Sequence, residues 1–210
     1  MTSLELMTDE VQVWVASLDV NRRRYDELAR LLPADERERA TSLTPVASRR
    51  FVVARGILRQ LLSGFTGTAP EKLEFSYGRS GKPALVDRHD IQFNVSHSAE
   101  LGLFAFAPDR PVGVDVENER PVRRLLDVAQ RFMSEDEMRA LADTPAEERN
   151  SAFLKSWVIR EACLKAEGKG VWDGKPGKLT HKLFAPRPNY IAAVAAPESD
   201  WRLYTCAMKD

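Results

Sequence analysis

Residues 91–117 read IQFNVSHSAELGLFAFAPDRPVGVDVE. Two runs of alternating or continuous apolar character, 91–97 and 101–107, flank a short polar break at 98–100 and predict a β-hairpin. A second break at Asp109 to Pro111 precedes a third predicted strand over 111–117. Upstream, the pattern predicts a strand at 11–18, then a helix from an Asn21 cap to about residue 32. A short charged helix should open at Pro33, and a long one should cover 45–63, ended by Gly64, Gly67 and Pro70. A short strand at 73–77 and a turn at 78–83 lead back to the hairpin. Downstream, helices are predicted at 123–132, 134–142 and 145–167, the second opened by Ser134 with Glu137 three residues on and the third stopped by Gly168 and Gly170. Strands are predicted near 178–184, 190–196 and 201–207. Strand, helices and strands thus occur twice in order, which predicts an α+β fold of two similar α/β halves, 1–110 and 111–210.

The chain has 210 residues, enough for one domain or two small halves sharing a core. Lys plus Arg and Asp plus Glu each number 31, so the net charge is zero. That balance disfavours a general nucleic-acid or anionic-membrane binder while leaving room for a local basic pocket. Two cysteines, Cys163 and Cys206, make neither a disulfide framework nor a usual zinc site, and point to a reducing, cytoplasmic setting. The opening MTSLELMTDE is acidic and lacks the apolar run of a secretory leader.

Chemistry concentrates in four places. On the strand at 111–117, alternation puts Val112, Val114 and Val116 on one face and Gly113, Asp115 and Glu117 on the other. Carboxylates two residues apart on a strand lie about 7 Å apart, and a hard cation such as Mg²⁺ relieves their repulsion. The competing expectation is a solvated strand face. On the long helix, the apolar stripe runs through 154, 157, 158, 161, 162 and 165, and Glu161 and Lys165 fall on it. A simple i, i+4 ion pair explains their spacing but not their place among apolar positions. Ser96 and His97 enter the hairpin turn, where the imidazole suits a phosphate. Adjacent strand residues point oppositely, so the two make a poor nucleophile–base pair. Lys82 and Pro83 lie in the turn, and Arg39, Arg50, Arg55 and Arg59 lie on upstream helices, where guanidinium groups can clamp phosphate. Cys163 and Trp157 read as packing residues.

In order, GKP (81–83), FNVSHS (93–98), GVDVE (113–117), RFMSEDE (131–137) and SWVIREACLKAEGKG (156–170) resemble the 4′-phosphopantetheinyl transferases, in their longer, Sfp-type branch. The resemblance implies two fused halves related by a pseudo-twofold axis, with the active site between them, in a monomer. It implies transfer of the phosphopantetheine arm of coenzyme A to a serine of an apo acyl or peptidyl carrier protein, releasing adenosine 3′,5′-bisphosphate. Asp115, Glu117 and Glu161 would hold Mg²⁺. Lys165 and His97 would contact phosphate oxygens beside Ser96, Lys82 and Pro83 would lie at the nucleotide end, and Arg39 and Arg50 near the 3′-phosphate. Glu161, Glu137 or a metal-bound water would take the serine proton. The usual helix pattern W-x-x-K-E-A-x-x-K carries Arg160 here at its fourth position; Arg keeps the charge in a wider fork.

Overall fold

Alternating burial along β1 (Glu10–Ser17) sets the first sheet: Val11, Val13 and Val15 are buried on one side. The computed structural model describes residues 4–170, 173–198 and 200–208. The predicted hairpin forms as β4 (Ile91–Ser98) and β5 (Leu101–Pro108), antiparallel, with Val95 opposite Phe104. β5 also pairs antiparallel with β1, Val13 facing Ala105. Between β1 and β4 the chain forms α1 (Arg22–Ala29), α2 (Ala34–Thr41) and α3 (Pro45–Thr66). The Asn21 side chain caps α1 by accepting from Arg24 N, as the sequence predicts. α3 does not stop at Gly64. It runs on to Thr66 and ends at Gly67 in the left-handed region, φ 72°, while the missing Cβ at Gly64 makes room for Leu4. A 3-10 turn (Pro70–Lys72) and a small hairpin of β2 (Phe75–Tyr77) and β3 (Pro83–Leu85) complete this part.

The second sheet follows the same order of events. β6 (Gly113–Asn118) is followed by α4 (Leu125–Ala129), α5 (Glu135–Asp143) and α6 (Ala146–Ala166), then β7 (Thr180–Phe184) and β8 (Tyr190–Ala196). β8 lies between β6 and β7, antiparallel to both, as β5 lies between β1 and β4. The predicted capping box is present: the Ser134 hydroxyl accepts from Glu137 N and the Glu137 carboxylate accepts from Ser134 N. The last strand, β9 (Arg202–Ala207), crosses over and pairs parallel with β1.

Three apolar layers hold these parts. Val11, Val13, Leu101 and Leu103 of the first sheet meet Val114, Val116 and Val194 of the second in one shared core. The other face of the first sheet packs Phe93, Phe104 and Phe106 against Ile57, Leu58 and Leu61 of α3. The other face of the second packs Ile191, Ala193 and Ala195 against Phe153, Leu154 and Val158 of α6. Among the described residues no helix is long and apolar enough to cross a membrane.

Candidate active site

The valines of β6 face the shared core, so Asp115 and Glu117 must face α6. That face is not solvated: Asp115 is buried, and β6 and α6 approach so closely that a Cβ on Gly113 would sit 2.0 Å from Ala162 O. Only glycine fits there. On α6, Glu161 is buried among Leu154, Val158 and Ala162, where the apolar stripe placed it. Lys165 does not pair with Glu161 one turn back. Its Nζ instead donates to Asp115 Oδ1 at 2.6 Å and to Ser96 Oγ at 3.1 Å, while Ser96 Oγ donates to the same carboxylate oxygen at 2.7 Å.

This leaves negative charge in excess. Asp115 Oδ2 and Glu161 Oε1 are buried with no hydrogen-bond partner. Burial, reinforced by the neighbouring Asp115 and Glu117 charges and opposed by Lys165, pushes the Glu161 carboxyl up to about 7. Burial also raises Glu117, with Asp115 adding to it and the Ser98 hydroxyl opposing it. Buried carboxylates in this state are relieved by a proton or by a cation. The donor set, all oxygen, suits a hard divalent ion. Among the described residues, no group of three or more His, Cys, Asp or Glu side chains is arranged to hold a metal ion.

Two adjoining cavities open beside these groups. One of about 280 Å³ is lined by Lys82, Asn94, Glu161 and Lys165. The other, about 610 Å³, is lined by Arg39, Arg50, Phe51, Tyr77 and His97. Gly81, Pro83 and Val95 border both. The structure therefore brings Arg39, Arg50, Pro83 and His97 to one cavity and Glu161, Lys165 and Lys82 to its neighbour. Burial and then the nearby charges of Lys165 and Arg50 lower the His97 pKa. An anion entering this space would reverse that effect of the cations.

Some expected residues are engaged elsewhere. Lys82 Nζ donates to Val112 O at 2.9 Å, Lys165 O at 2.8 Å and Ala166 O at 3.3 Å, joining the turn to β6 and the end of α6. Arg55 and Arg59 clamp a carboxylate of the protein itself, Glu36. Glu137 is held in its capping box and lines a separate cavity of about 540 Å³ with Phe132 and Arg160. Cys163 is buried, and burial raises its thiol to about 11, which suits packing rather than nucleophilic attack. Trp157 packs half-buried and lines an apolar cavity of about 470 Å³ with Glu117, Arg120, Arg123 and Phe153.

Residues 111–205 match the family model of the 4′-phosphopantetheinyl transferase superfamily. The chain is similar to the 4′-phosphopantetheinyl transferase HetI of Nostoc sp., 39% identical over 220 aligned residues that cover 95% of this chain and 93% of that protein. It is also similar to the 4′-phosphopantetheinyl transferase psf-1 of Bacillus pumilus, 32% identical over 61% of this chain and 54% of that protein. Similarity to the 4′-phosphopantetheinyl transferase Sfp of Bacillus subtilis is 31% identity over 59% of this chain and 54% of that protein. The chain belongs to the 4′-phosphopantetheinyl transferase family.

Within this transferase, Arg160 reaches outward from the carboxylate cluster. Its guanidinium lies over the Phe132 ring, 5.4 Å from its centroid, and donates to Gly174 O. Two residues beside the cluster escaped the sequence reading of roles. Asn94 accepts from Val114 N, and Ser98 donates to Glu117 Oε2. Their signal was present: Asn94, Ser96 and Ser98 put polar groups at every second position of a strand, all on one buried face.

Proposed function

We propose that the protein transfers 4′-phosphopantetheine from coenzyme A to a serine of an apo acyl or peptidyl carrier protein, with Mg²⁺, and releases adenosine 3′,5′-bisphosphate. The observation that carries this reading is the pair of unpartnered buried oxygens, Asp115 Oδ2 and Glu161 Oε1, beside cavities lined with Arg39, Arg50, His97 and Lys165. Asp115, Glu117 and Glu161 would hold the ion, which when bound neutralises the pyrophosphate against three carboxylates. Arg39 and Arg50 lie where a nucleotide phosphate in the larger cavity would meet them, and His97 and Lys165 lie toward the reacting phosphate. Pro83 forms the wall common to both cavities.

In the reaction, the serine oxygen forms a bond to the phosphorus nearer the pantetheine. The bond from that phosphorus to the bridging oxygen breaks, and the bisphosphate leaves. Glu161 accepts the serine proton. It lines the cavity beside the reacting groups, whereas Glu137 lines another cavity. The apolar cavity beside Glu117, flanked by Arg120 and Arg123, takes the apolar face of an acidic carrier helix. We read the enzyme as a cytoplasmic monomer of two halves, 1–110 and 111–210, related by a pseudo-twofold axis. The order β4-β5-β1 matches β7-β8-β6 and supports the repeat, with β9 of the second half added to the first sheet, and a site drawn from both halves of one chain fits a monomer.

Purified protein, coenzyme A and Mg²⁺ should add the mass of phosphopantetheine to at least one of a panel of apo carriers, read by intact-mass spectrometry. Chelation with EDTA should stop it. No gain on any carrier would refute the transfer reading, and undiminished gain in EDTA would refute the metal. Phosphate released from coenzyme A without a carrier would instead mark a phosphohydrolase.

A further inference from the structure

β4 and β6 lie side by side but belong to different sheets, so they are not joined by a backbone ladder. Side chains join them instead. Asn94 Oδ1 accepts from Val114 N at 2.9 Å. Ser96 Oγ donates to Asp115 Oδ1 at 2.7 Å, and Ser98 Oγ donates to Glu117 Oε2 at 2.9 Å. From Ser96 to Ser98 the two-residue step on β4 matches the two-residue step from Asp115 to Glu117 on β6, because side chains on both strands repeat every second residue. All three β4 residues are buried.

We infer that Ser98 is a positioning residue that aims the Glu117 carboxylate at the metal. A serine hydroxyl has one proton to give. Asn118 N donates to Ser98 Oγ at 3.1 Å, which occupies oxygen lone-pair density and directs the proton to Glu117. The two carboxylates of β6 are supported differently. Asp115 is gripped by both Ser96 and Lys165, whereas Glu117 sits at the half-buried edge, against the apolar cavity of about 470 Å³. Among the described residues, Ser98 is the side chain that donates to it. Removing that donor frees the carboxylate to turn about its side-chain torsions. Partners that orient metal-binding carboxylates typically change metal affinity by about 10–100-fold when removed.

The inference rests on the proposed metal role of Glu117, and the test separates the two. Mn²⁺ is titrated into wild type, Ser98→Ala and Ser98→Thr without coenzyme A, and free ion is read by electron paramagnetic resonance. Ser98→Ala should bind Mn²⁺ at least about tenfold more weakly, and Ser98→Thr, which keeps the hydroxyl, should stay within about threefold of wild type. If Ser98→Ala does not fold, Ser98→Cys, nearly isosteric with only a weak donor, should show the weakening instead. Wild-type affinity in the donor-poor variant, or equal loss in the Thr variant, would overturn the positioning role. If wild type itself binds no Mn²⁺, the metal reading falls and this inference falls with it.

Discussion

Two clusters of buried charge sit among the described residues, one in each half of the sequence, and they are satisfied to different degrees. In the first, Glu36 of α2 is 3% exposed and meets two arginines of α3. Arg55 Nε donates to Oε1 at 2.8 Å, and Arg59 Nε donates to Oε2 at 2.7 Å. Arg59 also donates to Pro70 O and Leu73 O, and Arg55 to Tyr77 OH. Both carboxylate oxygens are matched within the protein. In the second, Asp115, Glu117 and Glu161 face one lysine, and two buried oxygens have no partner. A closed cluster stabilises the fold, and an open one is completed by something that binds. Burial and charge alone do not distinguish a structural cluster from a reactive one; the count of unmatched atoms does.

The largest effect should come from the open cluster. Glu161→Gln keeps the shape and removes the charge. Transfer should fall by about 10³-fold or more, roughly 4 kcal/mol of transition-state stabilisation. The metal-free melting temperature should stay level or rise, because an unpaired buried carboxylate is lost. A variant that kept most of its rate, or lost its fold, would erase the contrast between the clusters. The closed cluster should answer in the opposite way. Glu36→Ala leaves two arginines facing each other without an anion, a change that costs about 3–5 kcal/mol in comparable buried pairs. Urea unfolding would read that loss, while kcat of the folded protein should change far less than in Glu161→Gln. A fully stable Glu36→Ala with a collapsed rate would make Glu36 part of the reactive machinery.

The open cluster was the more legible of the two in the sequence. Asp115 and Glu117 followed from strand alternation, and Glu161 from a charge on an apolar helical stripe; both patterns are local. The Glu36 clamp was not legible. Arg55 and Arg59 are one turn apart, but their partner lies 19 and 23 residues away on another helix, a contact set by packing rather than by period. The strands around the hairpin at 91–107 formed where expected because alternation and turn agree there. The parallel pairing of β9 with β1 spans nearly the whole chain, and alternation within a strand does not name its neighbour. Lys82 shows the same limit: its turn was evident, but its three carbonyl partners come from β6 and α6.

Lys82 tests whether a bolt between the two regions behaves as a closed or an open group. Its charge is buried, which lowers its pKa from 10.5 to about 8, yet its donors are matched by carbonyls. Lys82→Met would leave those carbonyls without their donor and should cost about 1–3 kcal/mol at pH 7 by chemical denaturation. The pH dependence has a definite sign. Between about pH 8 and 10.5 the folded protein has released the Lys82 proton and the unfolded chain still holds it. The unfolded state therefore binds more protons, and the contribution of Lys82 to stability rises with pH in that window, by at most about 1.4 kcal/mol per unit. Below pH 8 both states are protonated and the contribution is flat. The gap between wild type and Lys82→Met should thus be constant from pH 6 to about 8 and widen toward pH 10. A gap that narrows instead would mean that the carbonyl cage favours the ammonium more than burial disfavours it, and Lys82 would then belong with the closed cluster of Glu36.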